Sequence, residues 1–269
     1  MNEPEIVVVA DPDAAAVEAA ARIATSLTDA VARHGRADWA TTGGSTPIGI
    51  YRRLGTPPLV DAVPWASVHV WWGDDRYVPR DHPLSNVKPF DDVLLGIAGA
   101  EEGTAGAGGG RTRVPIPLSN VHPFPTGQAI GRSQGPGWCA ATLGDELRDA
   151  GLDVQDGWPV FDLMLLGVGP DGHVLSVFPG SMAFDATELA MAVPAPSHVE
   201  PHVERVTLNP ALIGVAREVL VVALGADKSA VLAQILHADR EPRRWPAQLA
   251  RREAATWIVD EAAAADLSR

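Results

Sequence analysis

The sequence predicts an α/β protein: a doubly wound, mostly parallel sheet with helices on both faces. Short apolar runs alternate along the chain with segments whose apolar residues recur at helical spacing. The runs are almost continuously apolar, which is typical of strands buried on both faces of a parallel sheet. Turns rich in glycine and polar residues follow these runs, at the edge where open α/β sheets bind their ligands.

The order of the elements follows from the same patterns. Predicted strands lie at residues 6–10, 39–42, 68–72, 160–166, 219–224 and 256–259. A helix is expected over 14–34, because apolar residues keep helical spacing up to Gly35, a typical C-terminal stop. Further helices are expected after Pro47 through Leu54, over 229–237, and in the Ala-rich end of the chain.

Turn signals separate the strands from the elements that follow them. They lie at residues 11–13, 43–47, 73–76, 167–173 and 225–228. Residues 99–113 are Gly-rich and nearly free of apolar side chains, which predicts a surface loop. Because strands are predicted on both sides of this loop, we expect residues 1–269 to form a single α/β domain.

The charge of the chain excludes one class of partner. The formal net charge is −13, from 21 basic and 34 acidic residues. Such a field repels polyanions, so we expect no nucleic-acid surface. A small phosphorylated ligand remains compatible, because a few local donors outweigh distant charges that are screened over about 8 Å.

Cysteine and histidine usage predicts neither a disulfide nor a metal site. Cys139 is the single cysteine, and we interpret it as a small core thiol. His82 and His122 lack metal-binding spacing with Asp or Cys partners, so no metal is assigned.

The chain carries no sign of a membrane segment. Residues 1–5 contain two acids and no basic residue, and no apolar run approaches the roughly 20 residues of a membrane span. We therefore expect a cytoplasmic protein without a membrane partner.

The turn after the second predicted strand has the composition of an anion site. Glycines allow the backbone to approach a ligand closely, and hydroxyls supply donors at the start of a helix. The residues concerned are Gly43, Gly44, Ser45 and Thr46. A tight strand-to-helix turn without a ligand explains this motif equally well when it is considered alone.

Two basic residues are further candidates for the same anion. Lys228 follows the fifth predicted strand, at the sheet edge that holds the glycine turn, and can place a point charge there. Arg205 is the second candidate. For each, an ordinary solvated surface position is the alternative.

Residues 167–173 contain the letters G-x-G-x-x-G after a strand, but a dinucleotide site is rejected. Asp171 would stand where the pyrophosphate binds, and Pro170 lacks a backbone donor. We instead interpret Asp171 as the carboxylate that orients His173, which makes the imidazole a general base near neutral pH. The alternative is a structural histidine.

Arg76 follows the third predicted strand in a polar turn. It is a candidate to hold the substrate or to stabilise a developing oxyanion. The alternative is an internal salt bridge with Asp74 or Asp75.

Together these segments resemble the 6-phosphogluconolactonase branch of the glucosamine-6-phosphate isomerase/6-phosphogluconolactonase family. The resemblance covers most of the chain, and the ordered set is specific although each motif alone is weak. It is carried by residues 42–47, 73–79 with 85–86, 169–173 with 176–180, 205–208 and 225–228.

The resemblance implies a fold, a reaction and a set of roles. The fold is Rossmann-like and shared with glucosamine-6-phosphate deaminase and ribose-5-phosphate isomerase. The reaction is hydrolysis of 6-phospho-D-glucono-1,5-lactone to 6-phosphogluconate in the pentose phosphate pathway, without a cofactor.

His173 would be the base, Asp171 its partner and Arg76 a substrate contact. The phosphate would be held by Gly43, Gly44, Ser45, Thr46, Arg205 and Lys228. The expected partner is a small phosphorylated sugar lactone, and the expected assembly a monomer or weak homo-oligomer.

Two other functions remain open at this stage. A deaminase of the same fold typically carries Asp-Glu-Tyr where this chain has residues 75–77, and Asn-Glu-Pro where it has 177–179. Arg76 and Phe178 thus replace acid–base groups, which favours the lactonase. A non-catalytic sugar-phosphate sensor would usually add a DNA-binding or partner domain, for which the chain has no spare length.

Overall fold

The computed structural model describes residues 3–96 and 114–267, so the loop predicted at 99–113 lies outside the described residues. The strands are β1 (Glu5–Val9), β2 (Ala37–Thr41), β3 (Val68–Trp72), β4 (Asp74–Arg76), β5 (Val121–His122), β6 (Val154–Gln155), β7 (Trp158–Pro159), β8 (Leu163–Leu166), β9 (Ala190–Val193), β10 (Arg205–Leu208), β11 (Glu218–Ala223) and β12 (Ala255–Asp260). The α-helices are α1 (Pro12–His34), α2 (Thr46–Leu54), α3 (Leu59–Ala62), α4 (Lys88–Phe90), α5 (Thr126–Gly131), α6 (Pro136–Asp149), α7 (Ala211–Val215) and α8 (Ser229–His237).

The central sheet has seven strands in the order β1-β12-β11-β8-β2-β3-β5. All of its pairings are parallel. The chain runs outward from β2 through β3 to β5, returns to β8 on the other side of β2, and continues through β11 to β12. This reversal confirms the predicted doubly wound α/β fold and places a topological switch point between β2 and β8, where such sheets bind ligands.

The central strands are covered on both faces. Every residue of β2 and β8 is buried, and so is β11 after its first residue. Because successive side chains point to opposite faces of a sheet, this pattern requires packing on both. On one face α1 contacts β2, β8, β11 and β12 through a stripe of buried alanines.

The long helix α1 has a defined cap at each end. The Asp11 carboxylate accepts a hydrogen bond from the backbone N–H of Ala14 at 2.8 Å. At the other end Gly35 has a left-handed φ of 83°, and its N–H donates to the Val31 carbonyl at 2.8 Å. The predicted stop at Gly35 is confirmed.

A second sheet was not predicted from the sequence. Strands β4, β10 and β9 form an antiparallel three-stranded sheet in which Arg205 on β10 pairs with Arg76 on β4. These strands have three or four residues each, too few for a periodic pattern to indicate them. The sheet matters because it brings both arginines to the same place.

Other predictions required correction. The Ala-rich end forms turns over residues 261–267 instead of a helix, and so short a segment gains little from helix propagation. The fourth predicted strand begins at Leu163 rather than at residue 160.

Cys139 is a fully buried free thiol, and burial raises its pKa to about 12, which confirms its interpretation as a core residue. Within the described ranges, no helix has the length and apolar character needed to cross a membrane.

Candidate active site

A cavity of about 410 Å³ opens at the switch point of the central sheet. The turns that follow β2, β8 and β11 line it together with the strand β4, and its volume suits a small ligand. Of the predicted site residues, the cavity lining includes Gly43, Gly44, Ser45, Thr46, Arg76, His173, Arg205 and Lys228. The structure therefore brings the marked turns together, and Asp171 lies directly behind His173.

The glycine turn presents the amino end of α2 to this cavity. Gly44 has a φ of 86°, which side-chain-bearing residues rarely adopt. A Cβ on Gly43 would lie 2.2 Å from the Asn86 Oδ1, so only glycine fits there. The side chain of Ser45 makes no capping hydrogen bond to the helix. The first N–H groups of α2 and the nearby hydroxyls are thus placed to bind an anion.

Asn86 is buried and links the glycine turn to Arg76. Its Nδ2 donates to the backbone carbonyl and the carboxylate of Asp74 at 2.8 and 3.1 Å. With its amide fixed in this way, Asn86 presents Oδ1 to the Arg76 guanidinium, which donates to it at 2.6 Å. Sequence reasoning noted residues 85–86 only as part of a motif and assigned Asn86 no role, because its contacts depend on the fold.

Arg76 is held by neutral oxygens rather than by the neighbouring carboxylates. Its guanidinium donates to the Leu84 carbonyl at 3.0 Å as well as to Asn86. Asp75 instead accepts hydrogen bonds from the backbone N–H groups of Arg76 and Asn86. Burial raises the pKa of Asp75 to about 7, against the effect of these hydrogen bonds. Asp75 is thus bound by backbone N–H groups, and the charge of Arg76 acts on it at a distance by lowering its pKa.

Arg205 and Arg76 form a cationic pair in which Arg205 is buried and Arg76 is half-buried. They are register partners on β10 and β4, and Arg205 is only 2% exposed. The Nε of each guanidinium is buried without a hydrogen-bond partner among the described residues. Burial lowers the pKa of Arg205, an effect that the Asp74 carboxylate opposes and the charge of Arg76 reinforces. Two adjacent cations with unused donors form a site that an anionic ligand completes.

Lys228 lines the same cavity as the arginines, on the turn after β11. Its Nζ pairs with Asp227 at 3.1 Å, and its side chain is 18% exposed. Gly225, with a φ of 94°, sets the direction of this turn. Lys228 is thus a partly buried cation at the edge shared with the glycine turn rather than a solvated surface lysine.

His173 and Asp171 form a close pair at the end of β8. The Nδ1 of His173 lies 2.5 Å from the Asp171 Oδ1, which also accepts the backbone N–H of His173 at 3.2 Å. Burial acts to raise the pKa of Asp171, but hydrogen bonds and charge from His173 and His198 outweigh it and hold the pKa well below its usual range. The carboxylate is therefore ionised and accepts the Nδ1 proton, which leaves Nε2 available to a reacting molecule.

Besides Asn86, two residues next to the His173–Asp171 pair were given no role by sequence reasoning. Phe178 packs against the His173 ring with 4.6 Å between ring centroids, and the Arg205 guanidinium lies 5.4 Å from its centroid. His198 places its Nε2 2.9 Å from the second oxygen of Asp171. No local signal marks His198, because it is 27 residues away from its partner in the chain.

Metal and cofactor requirements stay predictions. No group of three His, Cys, Asp or Glu side chains in ranges 3–96 and 114–267 has the arrangement needed to hold a metal ion.

The fold and the cavity define a Rossmann-like α/β protein in which three cationic side chains and a glycine turn lie beside a histidine–carboxylate pair. The family model described as glucosamine-6-phosphate isomerases/6-phosphogluconolactonase matches residues 10–259, and the chain belongs to this family. It is 34% identical to the 6-phosphogluconolactonase of Streptomyces coelicolor, over 100% of this chain and 96% of the relative.

Solved structures agree with this placement. The 6-phosphogluconolactonase of Trypanosoma brucei superposes with a TM-score of 0.80 at 27% identity, over 99% of this chain and 100% of that one. A monomeric glucosamine-6-phosphate deaminase superposes with a TM-score of 0.70 over 97% of this chain and 99% of its own. Its identity is 17%, so this second likeness shows the fold alone.

Proposed function

We propose that this protein hydrolyses 6-phospho-D-glucono-1,5-lactone to 6-phosphogluconate, a step of the pentose phosphate pathway. The observation that carries the proposal is the His173–Asp171 pair in the wall of a cavity that also holds a glycine turn, Lys228 and two arginines. An anion site fixes one end of a substrate, and an imidazole beside it activates water. The names of the relatives support the same reaction.

The glycine turn, Lys228 and Arg205 bind the phosphate in this proposal. A phosphate monoester carries about −1.5 to −2 charges near neutral pH. The N–H groups at the start of α2 and the two cations provide several charge-assisted hydrogen bonds for its oxygens. Binding at this end orients the lactone ring and holds its C1 carbonyl near His173, so the reaction starts from an aligned complex.

His173 acts first as a base and then as an acid. Its Nε2 accepts a proton from water while the water oxygen forms a bond to C1, and the carbonyl oxygen becomes an oxyanion. Arg76 stabilises that charge. When the carbonyl re-forms, the bond from C1 to the ring oxygen breaks, and protonated His173 gives its proton to that oxygen. Asp171 keeps the Nδ1 proton in place and stabilises the imidazolium.

Replacement of the base tests the proposal. In a proton-release assay with freshly prepared lactone, the wild-type protein is expected to accelerate hydrolysis far above the spontaneous rate. The His173→Ala variant is expected to lose about 10²- to 10⁴-fold in kcat with KM changed much less, because general-base catalysis contributes that factor. Near-normal turnover by this variant would remove His173 from the mechanism.

The deaminase alternative makes a different prediction. The position in which that enzyme needs an acid–base group is occupied here by Phe178, whose ring packs on His173 and offers no proton. We therefore expect no ammonia release from glucosamine 6-phosphate in a coupled assay. A sugar-phosphate sensor is distinguished by binding 6-phosphogluconolactone without turning it over.

A further inference from the structure

The carboxylate of Asp171 is shared by two imidazoles, and only one of them faces the cavity. Oδ1 contacts the Nδ1 of His173 at 2.5 Å, and Oδ2 contacts the Nε2 of His198 at 2.9 Å. His173 lines the cavity, whereas His198 lies behind the carboxylate and outside the lining. The hydrogen bond to Asp171 is therefore the contact through which His198 can act on His173.

We propose that His198 is a positioning residue for the catalytic base: its Nε2–H fixes the outer oxygen of Asp171, so that the inner oxygen stays aligned with His173. This inference rests on the proposed function of His173. The terminal torsion of an aspartate is broad and is not fixed by rotamer preference. A hydrogen bond on each oxygen restricts it, because rotation would break both bonds at once.

The surroundings hold His198 in place even though its side chain is 53% exposed. Its ring packs in a T-shaped arrangement against Phe178, with 5.6 Å between centroids. Two contacts hold the segment that carries His198, residues 196–202. The His202 Nδ1 contacts the Pro196 carbonyl at 2.7 Å, and the Arg205 guanidinium donates to the Pro201 carbonyl at 3.1 Å. The position of His198 is thus restricted by packing on Phe178 and by the contact of its segment with Arg205, a residue of the cavity lining.

The hydrogen bond from His198 also sets how strongly the Asp171 carboxylate attracts the proton of His173. The charged and titratable groups that face Asp171 are His173, His198 and Arg205. Two N–H donors divide the negative charge of one carboxylate. When the His198 donor is removed, the Asp171 carboxylate interacts more strongly with His173 and stabilises the imidazolium form of that ring. Loss of His198 is therefore expected to lower kcat and to raise the pH at which the acid limb of kcat/KM appears.

Two substitutions separate the hydrogen bond from the packing of the ring. His198→Phe keeps a flat ring against Phe178 but removes the N–H, and His198→Gln supplies an amide N–H that does not titrate. His34→Phe is the matched control, because His34 makes a 2.9 Å contact with Asp162, away from the cavity lining.

We expect His198→Phe to lower kcat about tenfold with KM within about twofold, and to move the acid limb of the pH profile upward. His198→Gln is expected to restore kcat to within about threefold of wild type, and His34→Phe to match wild type. A His198→Phe variant with wild-type kcat and pH profile overturns the proposal. Equal losses in the Phe and Gln variants also overturn it, because the ring rather than the N–H would then matter.

A measurement without substrate separates this inference from the proposed function. In protein labelled with nitrogen-15 histidine, the wild type is expected to show hydrogen-bonded protons on the His173 Nδ1 and on the His198 Nε2. The His173 resonance should shift in His198→Phe and stay unchanged in His34→Phe. Absence of either proton in the wild type overturns the positioning role, even if the Phe variant fails to fold. Failure of the wild type to hydrolyse the lactone, with these resonances present, instead contradicts the proposed function.

Discussion

Gly169 illustrates how a single residue sets the position of the His173 imidazole. A Cβ on Gly169 would lie 2.0 Å from the Nδ1 of His173, so the imidazole packs directly over the backbone at this position. The backbone N–H of Gly169 also donates to the His173 carbonyl at 2.9 Å. The glycine is therefore required for close approach rather than for a left-handed backbone.

Gly169→Ala is expected to displace the imidazole and break its 2.5 Å contact with Asp171. We predict a loss of about 10²-fold in kcat, the cost of a misplacement of about 1 Å in a catalytic group. The measurement is steady-state lactone hydrolysis. Gly214→Ala is the matched control, since a Cβ added at Gly214 would have nothing within 4 Å, and this variant should retain wild-type rates. Wild-type turnover by Gly169→Ala would show that the imidazole position is not critical.

At the scale of elements, six of the seven parallel strands in the described residues could be predicted from sequence, whereas β5, with two residues, could not. Apolar runs marked the strands, and a parallel sheet brings the turns after them to one edge. The antiparallel pairing of β4 with β10 could not be predicted, because such short strands carry no periodic signal. The position of Arg205 opposite Arg76 and the approach of His198 to Asp171 depend on that pairing and on long-range packing, so no local pattern indicated them.

The edge of the central sheet contains a histidine pair that links β3 to β5. The Nδ1 of His69 lies 3.0 Å from the Nε2 of His122, whose Nδ1 contacts Glu146 at 2.6 Å. Burial lowers the pKa of His69 to about 4, and the charge of Arg36 lowers it further against the opposing effect of Asp38. The folded protein therefore keeps His69 neutral at pH values where the unfolded chain protonates it.

This shift predicts a direction for stability against pH. The pKa of His69 is depressed in the folded state, so its contribution is fully present above about pH 6.5 and is lost as the pH falls toward 4. His69→Gln, which does not titrate, is expected to show a smaller decline in the urea midpoint across this window. Parallel curves for the two proteins would indicate that His69 is not the group responsible.

At the scale of the whole molecule, a chain with a net charge of −13 places three cationic side chains in the wall of the active-site cavity. Arg76, Arg205 and Lys228 line it, with Asp74 and Asp227 as the acidic residues of the lining. The cavity lining thus carries a local excess of positive charge although the chain as a whole is acidic. A single domain over residues 1–269, a monomer or weak homo-oligomer, and a cytoplasmic location stay predictions.

In the proposed function, an anion site at the sheet edge aligns the substrate with His173. The decisive comparison is kcat/KM for 6-phosphogluconolactone and for gluconolactone without phosphate, in the wild type and in Lys228→Ala. We predict that the wild type prefers the phosphorylated lactone by at least about 10²-fold, and that Lys228→Ala reduces this ratio by about tenfold or more with little change for the unphosphorylated lactone. Equal kcat/KM values for the two lactones in the wild type would contradict the account.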